Sequence, residues 1–292
     1  MKTIKINMRL LLAATFLSGI ALSSCQKMNK PELGDFEQDK VVTPTTPLRF
    51  YVSFDSLTAE DKQVNIRFKD SISGYPSFFP DNAIHSINGV HGKGYESTSD
   101  KWLSYINAND FAQSTSFTVA FWEKHNGVPN SDAETIFSIP STNGHWSKTT
   151  MFLIMDHKGS GATTDSAVIK FVIIDGANNS DNWFVWEKGS TDGRIKGLYD
   201  NQWHHLAFTY DETTSKMSLY KDGVFQSARD WSGHGPLKMQ ASKVSGFYLG
   251  GKQDVKGDWE WGQAWIGGLD QFRLYNKVLS AAEIQSLYTN KL

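Results

Sequence analysis

The segment Phe117–Lys124 restricts the possible folds more than any other stretch of this chain. Phe117, Val119 and Phe121 alternate with Thr118, Ala120 and Trp122, so a period of two puts apolar side chains on both faces of one extended segment. A strand apolar on both sides has to be covered on both sides, which places it in the middle of a layered β structure. Similar runs recur at 151–155 (MFLIM), 167–174 (AVIKFVII), 203–210 (WHHLAFTY) and 216–227 (KMSLYKDGVFQS). The last run is interrupted by Asp222-Gly223, a dipeptide suited to a tight type I′ hairpin, so the expected sheets are antiparallel. With 292 residues, 39% of them hydrophobic, and 24 Gly, the chain has enough material for a core and for many turns. Only the C-terminus reads as helical. Ser280 can cap, Glu283 completes a capping box, and Leu279 with Ile284 forms the flanking staple, which turns Ile284, Leu287 and Tyr288 toward the sheets.

The N-terminus has a different character. Lys2, Lys5 and Arg9 precede an apolar stretch, Leu10–Leu22, that is too short for a membrane span and reads as a secretory signal. It ends in Leu22-Ser23-Ser24-Cys25, which resembles the lipobox of bacterial lipoproteins. That resemblance implies cleavage before Cys25 and acylation of its sulfur, palmitate included, with Gln26 rather than Asp after it favouring the outer membrane. Cys25 is the only cysteine, which excludes a disulfide framework and a CxxC zinc site; a free thiol behind an ordinary signal peptide is the competing reading. The expected organisation is a signal peptide at 1–24, a polar Thr/Pro-rich tether at 25–47 and one β domain at 48–292. Removing the signal leaves 26 basic against 31 acidic residues, a net charge of −5, and no basic patch for nucleic acid.

Across 48–290, blocks of sequence resemble the laminin G-like or concanavalin A-like domains of secreted proteins. They are LRFYVSFDSL, GVHGKGYES, SFTVAFWEK, NQWHHLAFTYDETTSKMSLYKDG, FYLGG at 247–251, and the closing IGGLDQFRLYNKVLSAAEIQSLY. The resemblance implies an all-β, two-sheet antiparallel jelly-roll sandwich with a short C-terminal helix, and a role in binding glycans, binding proteins or spacing other domains. Many such domains hold calcium between an Asp after the first strand and the Asp of the closing strand, here Asp55 and Asp270, where the ion would be structural. The alternative is that Asp55 begins an Asx-type turn and Asp270 binds backbone amides. Glucanases of this fold carry E-x-D-x-x-E; it is absent, and the nearest pair, Asp258 and Glu260, lacks a third acid, so no enzymatic activity is expected.

The remaining pointer to a ligand is aromatic. Sugar rings present C–H faces that stack on indole, and ten tryptophans exceed what a core needs. Trp122 and Trp203 belong to core-like strands, whereas Trp146, Trp183, Trp186, Trp231, Trp259 and Trp261 lie in or beside polar loops and are the candidate glycan contacts, with Asn179, Asn182, Asp258 or Gln263 giving direction. Trp183 and Trp186, three apart, face opposite ways on a strand, so at most one joins a platform; Trp259 and Trp261, two apart, would share a face. His204 and His205 are adjacent on a strand and cannot chelate one ion together, so each reads as a hydrogen-bonded structural histidine. No GxSxG, HExxH or Walker-type loop occurs. The expected partners are a glycan or polysaccharide, the membrane through the lipid, and other cell-envelope proteins if the domain serves adhesion.

Overall fold

A computed structural model describes residues 41–55, 68–78, 84–97, 101–130, 132–252 and 262–291. Cys25, Asp258, Trp259, Glu260 and Trp261 lie outside the described residues. Two sheets face one another. The first takes in β1 (Leu48–Val52), β2 (Ile84–Asn88), β3 (Lys93–Ser97), β5 (Phe117–Lys124), β12 (His204–Asp211), β13 (Lys216–Lys221), β14 (Val224–Asp230) and β17 (Gly268–Tyr275). Its order is β14-β13-β12-β5-β17-β3-β2, with β1 also on β17. The second contains β4 (Leu103–Tyr105), β6 (Ala133–Pro140), β7 (Thr149–Met155), β9 (Ile169–Asp175), β10 (Ser180–Trp186), β15 (Phe247–Leu249) and β16 (Gly262–Ala264). It runs β10-β9-β7-β6-β15-β4, and β16 pairs with β6 in parallel. A small ladder joins β8 (Ser166–Ala167) to β11 (Ile195–Lys196).

The strand apolar on both faces sits where its pattern requires: β5 lies between β12 and β17. Its inward side chains join the core, in which Phe121 and Phe137 both pack on Phe272, at 5.4 and 5.6 Å between ring centroids. Phe171 of the second sheet meets Phe208 of the first at 5.3 Å, so aromatic contacts knit the two layers together. Asp222 and Gly223 both have positive φ, 51° and 77°, as a type I′ hairpin demands, and the turn joins β13 to β14.

The outward side of β5 is covered by α1 (Ala281–Asn290). Ser280 and Glu283 form the reciprocal capping box, and Leu279 and Ile284 pack on Ala120 and Ala207. Tyr288 stacks on Trp122 at 5.5 Å. Beneath them His205 is fully buried, with neither ring nitrogen hydrogen-bonded among the described residues, and burial lowers its pKa to about 3. The expectation of two hydrogen-bonded histidines is therefore half corrected. His204 lies between Asp200 and Asp222 at 3.1 and 3.0 Å, whereas the ring of His205 is held by packing.

Candidate functional site

The loop between β6 and β7 is shaped by its small and polar residues. Gly144 takes φ +85°, Asn143 accepts the backbone N–H of His145, and Ser141 N–H donates to Lys148 O. This geometry leaves Trp146 at the surface, 41% exposed. Opposite it, the turn from β9 to β10 places Asn179 in the left-handed region at φ +50°. There its amide donates to Asn143 O at 2.7 Å and accepts from Gln240 at the same distance. Loop and turn are thus tied together by side-chain amides.

The consequence is an aromatic pair. The rings of Trp146 and Trp183 lie 6.4 Å apart at an interplanar angle of 10°. Trp183 is half-buried, with its ring edge-on to Phe152 of β7 at 5.6 Å and its indole N–H donating to Asp181 at 3.1 Å. His145 completes the rim. One ring nitrogen contacts Ser147 Oγ at 2.8 Å, the other lies 3.6 Å from Asp181, and burial lowers its pKa despite that carboxylate, which favours the neutral ring. Parallel indoles bordered by amides, a neutral imidazole and one carboxylate offer apolar faces beside hydrogen-bonding groups, the two things a sugar ring requires.

The other candidate tryptophans are placed differently. Trp186 is corrected: it points into the core, fully buried against Phe208, and its indole N–H donates to Ser227 Oγ. The alternation along β10 turns Phe184 and Trp186 inward and Trp183 outward. Trp231 is half-buried, edge-on to Phe184 and Tyr210, and His234 is stacked on it at 3.5 Å and 8°. Asp175 fixes that imidazole at 2.7 Å, so the exposed platform expected from the loop composition does not form at Trp231. Gln263 faces Glu134 at 3.4 Å. Sequence reading missed His145, Asn143 and Gln240 at the rim; Asn143-Gly144 was the local signal for a turn there.

Asp55 and Asp270 converge on a second place, the loop from Gly89 to Lys93. Antiparallel pairing of Val52 with Phe272 brings them there from opposite ends of the chain. Lys93 N–H donates to Asp55 and Val90 N–H to Asp270, both at 2.8 Å. Both carboxylates crowd glycines: a Cβ on Gly89 would strike Asp270, and one on Gly92 would strike Asp55. Asp270 is fully buried, its Oδ1 has no hydrogen-bond partner among the described residues, and burial together with the charge of Asp55 pushes its pKa up to about 7. An orphaned oxygen on a buried carboxylate beside a second carboxylate fits a hard cation, although among the described residues no three His, Cys, Asp or Glu side chains gather as a metal set. Any further ligands would be backbone carbonyls or water.

Comparison with known proteins sets this geometry in context. A family model described as the concanavalin A-like lectin/glucanases superfamily matches residues 97–285. Among curated proteins, the rat "Sushi, von Willebrand factor type A, EGF and pentraxin domain-containing protein 1" is 25% identical over 173 residues, covering 58% of this chain and 4% of that protein. The human neuronal pentraxin receptor is 30% identical over 89 residues, covering 30% and 17%. The chain therefore spans under a fifth of the length of these relatives. Among solved structures, domain 4 of the GH43 arabinanase AbnA from Geobacillus stearothermophilus, in complex with arabinotriose, aligns with a TM-score of 0.52 at 16% identity over 82% of this chain and 98% of that one. The receptor binding domain of botulinum neurotoxin mosaic serotype C/D aligns at 0.55 and 14% over 84% and 51%. At these identities the likeness is one of fold.

Proposed function

Because the chain belongs to the concanavalin A-like lectin/glucanases superfamily, we propose that it is a non-catalytic, membrane-anchored glycan-binding lipoprotein whose ligand face is built on Trp146 and Trp183. The observation that carries the reading is the parallel indole pair, held at the protein surface by amide-braced turns. The fold neighbours add support, since one is a domain in complex with arabinotriose and another a receptor binding domain. Cys25 would carry the lipid and hold the protein at the outer membrane, and Cys25→Ala should release it from the membrane fraction or leave a precursor. Asp55 and Asp270 would hold a structural calcium ion, which would supply the positive charge that the orphaned oxygen of Asp270 lacks. A protein-binding or adhesion role is the second reading, favoured by the exposed Val224 and Phe225 at the β13–β14 turn.

The test is retention of the protein on immobilised polysaccharides and on a glycan panel. Trp146→Ala should weaken binding by about 2 kcal/mol, the scale of a stacked aromatic contact. If no glycan is retained, or if Trp146→Ala binds as well as the parent, the glycan reading fails and the adhesion reading takes its place.

A further inference from the structure

Two residues along β10 from Trp183, about 7 Å at strand spacing, the edge of the second sheet meets β14, the edge of the first. Here a cleft of about 610 Å³ opens, lined by Val185, the 187–195 loop and the Gln226–Arg229 part of β14. Its floor is Arg229, which faces inward and lies over the ring of Trp186 at 5.3 Å. Three acceptors hold the guanidinium in place: Nε donates to Val185 O at 2.6 Å, and Nη1 donates to Ala228 O at 2.9 Å and Ser227 Oγ at 3.3 Å. Among the described residues no protein acceptor meets Nη2 and no carboxylate lies within ion-pair distance of Arg229. Asp230, the next residue, pairs with Lys216, and Asp192, which lines the cleft, is spent on a bidentate pair with Arg194.

The loop preserves this opening. Gly193 N–H donates to Glu187 O at 3.1 Å and closes the loop, while a Cβ at Gly193 would lie 2.6 Å from Nη2. The absent side chain leaves room beside the one unsatisfied edge of the guanidinium. Around it, Gly189, Ser190 and Thr191 offer backbone and hydroxyl groups. Partial burial lowers the pKa of Arg229, as expected for a cation held out of water without a counter-charge. An oriented guanidinium with one open N–H edge favours an anionic oxygen, and hydroxyl-bearing walls in a volume of this size favour a ring carrying that anion.

We infer that the cleft between β10 and β14 takes a carboxylate-bearing sugar residue, with the acid group on Arg229 Nη2. The inference rests on the glycan reading of the Trp146–Trp183 face and narrows it to acidic glycans. Glu187 also lines the cleft and sets the charge limit: it opposes a second negative charge on the ligand, which fits a monocarboxylate better than a phosphate dianion.

The full chain would be titrated with uronate- and sialate-containing oligosaccharides, each paired with its carboxyl-reduced neutral form. The acid should bind about tenfold more tightly than its reduced partner, and the preference should shrink as salt is raised from about 50 to 500 mM. Arg229→Gln should erase the preference. Ser190→Asp, on an exposed loop position, should erase it without touching the packing around Trp186, and Glu187→Gln should strengthen it. Equal binding of acid and reduced forms, or a preference that survives both Arg229→Gln and Ser190→Asp, overturns this inference and leaves the glycan reading standing. Failure of every oligosaccharide to bind overturns both.

Discussion

The outer faces of the two sheets each carry a tryptophan beside a histidine, and the two pairs have opposite fates. On the first sheet, Trp122 and His205 are 5.3 Å apart and sealed beneath α1, and among the described residues neither the indole nitrogen nor either imidazole nitrogen has a hydrogen-bond partner. On the second, His145 and Trp146 are 5.2 Å apart, with the histidine buried and hydrogen-bonded and the indole partly open to solvent. Residue type does not separate them. What separates them is whether a later segment covers the sheet: the capping box at Ser280 starts a helix that lies over Trp122, while amide-braced turns hold Trp146 outward. A buried polar group without a partner is tolerated where packing is the purpose, and a satisfied rim is what a ligand face needs.

The largest expected effect comes from pH, because two buried groups titrate in opposite senses. The unfolded chain protonates His205 near 6.5, but the folded chain does so only near 3, so the unfolded state holds more protons between these values and stability falls as pH drops through that window. The full loss is on the order of 5 kcal/mol. Asp270 runs the other way. Its folded pKa near 7 exceeds the ordinary 3.8, so the folded state holds the extra proton and, without a cation, stability falls as pH rises from about 4 to 7. Urea melts across pH 3–8 should show His205→Leu removing the acid-side loss. Asp270→Asn should remove the neutral-side loss, and calcium should do the same in the parent and raise its Tm. A parent melt indifferent to calcium and chelator at pH 8 would refute the cation at Asp55 and Asp270.

Next in size is Trp122→Ala, expected to cost about 3–5 kcal/mol because it removes a buried ring from between the sheet and Tyr288. Glycan binding by the fraction that remains folded should not change. A loss of binding at constant stability would reverse the roles assigned to the two faces.

Much of this architecture was legible because its determinants are local. The alternation in β5, the Asp222-Gly223 hairpin and the Ser280–Glu283 box each lie within a few residues, and each formed as read. The ligand face was less legible, because its members meet only through topology. Strand alternation established that Trp183 and Trp186 diverge, but only the register of β10 on β9, which sets Trp183 opposite Val172 and Phe184 opposite Phe171, decided that Trp183 faces outward. Trp231 looked exposed from its Ser and Gly neighbours, yet His234 folds onto it because Asp175, 59 residues before that histidine, anchors the imidazole. Arg229 gave no signal at all, since an arginine in a strand shows its missing partner only when its surroundings are known.

The smallest effect offers the sharpest test of the comparison, because it asks whether two stacked indoles are equivalent. Trp183 rests on Phe152 and joins the apolar cluster of the outer sheet face, so Trp183→Ala should cost about 1–2 kcal/mol of stability as well as affinity. Trp146, 41% exposed on a loop, should lose affinity with a stability change of about 0.5 kcal/mol or less. Paired denaturant melts and glycan titrations on the two variants separate these outcomes. If Trp146→Ala destabilises the protein as much as Trp183→Ala does, the pair is packing at a sheet edge, and the second outer face is closed in the same sense as the first.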